Sequence, residues 1–135
     1  MSEERLTHLN EKGEANMVDV SAREVTTRIA TASGRVSLSS EVLNLIANNQ
    51  TPKGDVLATS RIAGIMGAKK TSELIPLCHP IAIHKVEVEL KIESDGVSIT
   101  AIVKTNDRTG VEMEALTAVS VAGLTLIDMI KALDP

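Results

Sequence analysis

Residues 85–104 read KVEVELKIESDGVSITAIVK. Val86, Val88, Leu90 and Ile92 alternate with Glu87, Glu89, Lys91 and Glu93. A period of two puts successive side chains on opposite faces, so this half predicts a strand with one apolar and one charged face. Ser94-Asp95-Gly96 supplies turn chemistry, and Val97, Ile99 and Ala101 restart the alternation on the other side. The stretch predicts a β-hairpin, with strands from Ile81 to Glu93 and from Val97 to Lys104.

The flanks add helices. Upstream, the Val-, Thr- and Ile-rich REVTTRIATASG predicts a strand near residues 22–33. Ser39 or Ser40 is a helix cap, followed by Leu43, Ile46 and Ala47 as an apolar stripe and by Asn48-Asn49 as a stop. Thr51-Pro52-Lys53-Gly54-Asp55 predicts a loop. From Asp55 the spacing of Val56, Ile62, Ile65 and Met66 is helical, and Lys69-Lys70 suit the C-terminal end. Gly64 and Gly67 count against this helix unless another backbone packs there. After the hairpin, a long helix runs from about Val111 to Leu133. The expected class is α+β, a ferredoxin-like β-α-β-β-α pattern with an extra helix in the first crossover and helices on one face of an antiparallel sheet. A full split βαβ arrangement carries one more strand, expected beyond Pro135.

The totals bound the function. The 135 residues fit a single domain, with residues 1–20 as an N-terminal arm. Phe, Tyr and Trp are absent, so Val, Ile, Leu, Ala and Met must fill the core and assembly into an oligomer is expected to assist. The single cysteine excludes an internal disulfide and fits a reducing cytoplasm. The N-terminus is polar, unlike a signal peptide, and the uncharged run Ala115–Ile127 is short for a bilayer. The formal net charge of −4 and the lack of stacking aromatics argue against nucleic acid as a partner, while leaving room for a small anionic ligand.

Four places carry possible chemistry. Glu112 and Glu114 lie in the first turn of the last helix, where the helix dipole alone accounts for carboxylates. Asp128 and Lys131 sit three residues apart, as a surface ion pair or as a proton-transfer pair. Lys53 is either an exposed loop lysine or a phosphate contact. Leu77-Cys78-His79 lies between Pro76 and Pro80. Metal-ligand spacing is missing around Cys78, whose remaining readings are a buried thiol beside a hydrogen-bonded histidine, a nucleophile, or the rigid wall of a pocket for a flat polar heterocycle.

The strings KGDVLATSRIAGIMGAKKTSELIPLCHP (53–80) and TGVEMEALTAVSVAGLTLIDMIKALDP (109–135), with MVDVS near the start, closely resemble the cyclic pyranopterin monophosphate synthase family, molybdenum cofactor biosynthesis protein C. The resemblance runs from about His8 to Pro135. It implies a ferredoxin-like subunit in a homohexamer, a trimer of dimers. It implies a lyase that turns a cyclised dihydro-GTP into cyclic pyranopterin monophosphate and releases pyrophosphate. By that resemblance Leu77, Cys78, His79, Met113 and Glu114 contact substrate, and Asp128, Lys131 and Lys53 are catalytic. No cofactor is implied, and Mg²⁺ would accompany the triphosphate. The competing reading is a non-catalytic, oligomeric nucleotide-binding module of the same fold.

Overall fold

The computed structural model describes residues 12–133. Its regular elements are β1 (Thr26–Ser37), α1 (Ser40–Ala47), α2 (Val56–Lys69), the one-turn α3 (Thr71–Leu74), β2 (Ile83–Ile92), β3 (Gly96–Asp107) and α4 (Glu112–Ile130). The hairpin lies where the alternation placed it. β3 is the central strand, flanked by β1 and β2, and both pairings are antiparallel. This is the α+β, ferredoxin-like order expected from the sequence. β1 begins four residues later than the sequence pattern suggested and runs on to Ser37. Its limits follow β3, since Thr26 pairs with Asp107 and Ser37 with Gly96.

Period-two alternation divides the sheet into two faces. Val97, Ile99, Ala101, Val103 and Thr105 of β3 are buried under the helices, together with Val88 and Leu90 of β2. The opposite face carries Lys85, Glu87, Glu89 and Lys91 into solvent. The buried hydrophobic residues are all aliphatic or methionine, with Ile99, Leu126 and Ile130 the largest fully buried.

Helix limits are set by caps. Ser39 accepts the Val42 N–H at 3.3 Å, and Asp55 accepts the Ala58 N–H at 3.0 Å, each satisfying a first-turn donor. In α1 the buried residues are Val42, Leu43 and Ile46, and Ala47 lies exposed at the end. In α2 the stripe read from the sequence is only partly inward: Ile62 and Met66 are more than half exposed. The glycines explain the difference. Gly64 and Gly67, rather than the large side chains, face α4. A Cβ on Gly64 would lie 2.9 Å from the Ala118 carbonyl oxygen, and one on Gly67 would lie 2.8 Å from Val121 Cγ2. The helices therefore meet backbone to backbone, and Ala118 and Ala122 of α4 are fully buried there.

By length and composition α4 could cross a membrane. Here it packs along α2 and the sheet as the core helix, with Ala115, Ala118, Ala122, Leu126 and Ile130 buried.

Gly64→Ala should lower stability by about 1–3 kcal/mol in urea denaturation, because the new methyl meets a carbonyl that cannot swing aside. An unchanged midpoint would contradict the close approach. Ser60 is fully buried and its Oγ has no hydrogen-bond partner. Ser60→Ala removes a desolvated hydroxyl without losing a bond, so stability should hold or rise. A loss above about 1 kcal/mol would show that the hydroxyl is bonded.

Candidate functional site

The segment after α3 is fixed from both ends. Thr71 Oγ donates to the Gly67 and Ala68 carbonyls, at 3.2 and 2.9 Å, and ends α2 against α3. The Cys78 N–H donates to the Ile75 carbonyl at 3.1 Å, closing a turn around Pro76. Further on, the Ala82 N–H donates to Asp107 at 3.1 Å, and the buried Thr105 hydroxyl donates to the Ala82 carbonyl. The β2–β3 register slips between Ile83 and Lys85, a bulge next to this anchor. Two prolines and these bonds hold Leu77, Cys78 and His79 rigidly beside the N-terminus of α4.

There they form a cavity of about 190 Å³. Leu77, Cys78 and His79 make one wall, and Met113 and Glu114 line another with Glu112, Thr109 and Gly110. All five residues expected to contact substrate thus share one cavity. The remaining wall was missed by sequence reading: it comes from the arm, through Val18, Val20 and Arg23. His79 Nε2 donates to the Val18 carbonyl, which assigns the ring proton to that nitrogen because a carbonyl only accepts. The arm of residues 12–25 has neither helix nor long strand, yet part of it lies against the site. Residues 1–11 lie outside the described region. The MVDVS string was visible in the sequence, but only the fold shows what it faces.

Glu114 is only 4% exposed. Burial pushes its carboxyl above the ordinary carboxylate range, and the nearby Glu112 adds to the push while the Glu114 main-chain N–H opposes it. Burial likewise raises the Cys78 thiol, assisted by Glu114. A raised thiol is a poor nucleophile, which favours the wall reading of Cys78 over covalent chemistry.

The three residues expected to be catalytic lie at the other end of α4. In the Lys53 loop, Gly54 adopts a φ of +95°, and its N–H donates to the Thr51 carbonyl at 3.3 Å. This turn aims Lys53 Nζ at Asp128: 3.1 Å to the main-chain oxygen and 3.4 Å to Oδ2. Lys131 Nζ reaches Asp128 Oδ1 at 3.0 Å. Hydrogen bonds from Lys131, then Lys53, hold Asp128 below the usual carboxylate value. All three side chains are more than half exposed, so the triad adds little to folding. The two lysines also offset the unfavourable placing of an acid at a helix C-terminus. Of the other cations, Lys85 pairs with Glu87 and Arg108 borders an adjoining hollow beside Asp107.

From Glu114 to Asp128 is 14 residues of helix, about 21 Å along its axis. Within one chain the cavity and the lysine–aspartate triad do not meet. Among the described residues, no three His, Cys, Asp or Glu side chains converge to hold a metal.

The raised Glu114 carboxyl has a consequence for stability. Its folded-state value lies above the unfolded one, so its burial is favourable at low pH and that benefit is lost as pH rises through the folded-state value. Glu114→Gln should therefore be more stable than the parent at pH 7, by on the order of 1 kcal/mol, with the gap closing towards pH 4. A gap independent of pH in parallel urea titrations would contradict this.

Comparison with known proteins agrees with the resemblance. A family model described as the MoaC family matches residues 17–135. A protein of Streptomyces griseus named cyclic pyranopterin monophosphate synthase is 65% identical over 133 residues, which is 98% of this chain and 75% of its own length. One of the same name from Dinoroseobacter shibae is 60% identical over 131 residues, 96% of this chain and 83% of its own. In Mycobacterium bovis, cyclic pyranopterin monophosphate synthase 2 is 55% identical over 130 residues, 96% of this chain and 78% of its own. The chain belongs to the MoaC family.

Proposed function

We propose that this chain is a lyase of molybdenum cofactor biosynthesis, converting a cyclised dihydro-GTP to cyclic pyranopterin monophosphate with release of pyrophosphate. The relatives' shared name carries the reaction. What supports it in the molecule is one polar cavity and one lysine–aspartate triad, both formed by residues the family resemblance selects.

The cavity holds the ring system. A 2-amino-4-oxo heterocycle presents N–H donors along one edge, and the carboxyl of Glu114 is the acceptor for them, with Leu77 and Met113 against the ring faces. Asp128 is ionised at neutral pH and acts as base. Lys131, bonded to it, returns the proton while the purine-derived ring opens and recloses. Lys53 steadies the charge on the inner phosphate as a substrate hydroxyl attacks phosphorus and the bond to pyrophosphate breaks. Mg²⁺ accompanies the triphosphate as part of the substrate.

These roles require the two clusters to meet, and about 21 Å of helix separates them in one chain. The active assembly therefore combines the cavity of one subunit with the triad of another, in the homohexamer that the resemblance implies. An exposed apolar stripe on α4 supports assembly: Leu116, Leu124 and Ile127 are 48%, 66% and 44% exposed on one helical face.

Lys131→Ala and Asp128→Asn should each lower the rate of pyrophosphate release by about 10²–10⁴-fold, with the melting temperature unchanged because both side chains are exposed. Turnover within tenfold of the parent in either variant would remove the proton-transfer assignment. Substrate binding without turnover by the parent would leave a binding module.

A further inference from the structure

The cavity is charge-polarised. On α4 its wall carries Glu112 and Glu114, and on the arm its wall carries Arg23. Arg23 makes no ion pair with either carboxylate or with any other described residue. Arg23 is exposed and lines the same cavity as the two carboxylates, a pairing of charges that suits a bipolar ligand, with N–H donors at one end and anionic oxygens at the other. The planar fork of its guanidinium matches a phosphate, which it can bind through two parallel hydrogen bonds.

The position of Arg23 is set by the local chain. Asp19 Oδ1 accepts the Ser21 N–H at 2.9 Å, and the Arg23 N–H donates to the Val20 carbonyl at 3.0 Å. These bonds shape a turn but do not attach it to the body. The hydrogen bond from His79 to the Val18 carbonyl does.

We propose that Arg23 is a substrate-binding residue that takes a phosphate oxygen, and that His79 positions it by latching the arm at Val18. This rests on the synthase reading for the identity of the substrate and adds a residue to its site.

Steady-state kinetics with the cyclised dihydro-GTP, and calorimetric titration with GTP as a non-reacting probe, test it together. Arg23→Ala should raise KM and weaken GTP binding about tenfold or more, with kcat within about twofold. Arg23→Lys should recover part of the loss, since it keeps the charge without the fork. His79→Ala should raise KM similarly and speed tryptic cleavage after Arg23. His79→Gln, which still carries a donor, should restore resistance to cleavage. The combined Arg23→Ala, His79→Ala variant should show no further rise in KM than the larger single effect. Unchanged KM and GTP affinity in Arg23→Ala, or a fall in kcat alone, would overturn the role of Arg23. Wild-type cleavage kinetics in His79→Ala would overturn the latch. No turnover by the parent, with GTP affinity still falling in Arg23→Ala, would reject the synthase reading and support the anion contact.

Discussion

The contact on which this structure depends is the backbone-close packing of α2 on α4. Gly64 and Gly67 leave no space for a side chain against Ala118, Val121 and Ala122. A chain without aromatic residues has small buried units, and it gains dense packing by bringing helices and sheet close together. Gly34 of β1 serves the same end, since a Cβ there would lie 2.7 Å from Val119 Cγ1. These approaches fix where α4 lies. They also fix both candidate clusters, because one sits at each end of that helix.

The same geometry separates the chemistry. At the N-terminal end, prolines, a turn and the anchors from Thr105 and Asp107 build a partly enclosed cavity with a buried acid. At the C-terminal end, an exposed aspartate is held ionised between two lysines. One end suits recognition of a ring and the other suits movement of protons and charge. The opposite directions of the Glu114 and Asp128 shifts have opposite causes, burial at one and cationic hydrogen bonds at the other.

Much of this was legible in the residues. Alternation from Val86 to Ala101 specified the hairpin, and Ser39 or Ser40 and Asp55 marked helix starts, while the paired glycines of α2 counted against a helix that close packing on α4 in fact explains. The strand limits of β1 were less legible because Thr, Ala, Ser and Gly carry a weak apolar rhythm, and pairing with β3 decides them. Ile62 and Met66 have helical spacing but point outwards, since periodicity identifies a face without saying which face the core takes. At the site, the individual residues were readable through the family motifs. Their division between two ends of one helix was readable too, since Glu114 and Asp128 lie near opposite ends of the predicted helix, but the meeting of Lys53 with Asp128 was not, nor was the arm's return to the cavity at Val18 and Arg23. Both are long-range consequences of the fold, and local pattern does not encode them.

The proposed composite site needs the cavity of one subunit and the triad of another. The most direct measurement mixes two inactive variants, Glu114→Gln with a defective cavity and Asp128→Asn with a defective triad, after dissociation and reassembly in equal amounts. Mixed pairs regain one intact composite site, so pyrophosphate release should return to about a quarter of the wild-type rate. Activity that stays at the level of the separate variants, in assemblies shown to be mixed, would contradict the account and place the whole site within one chain.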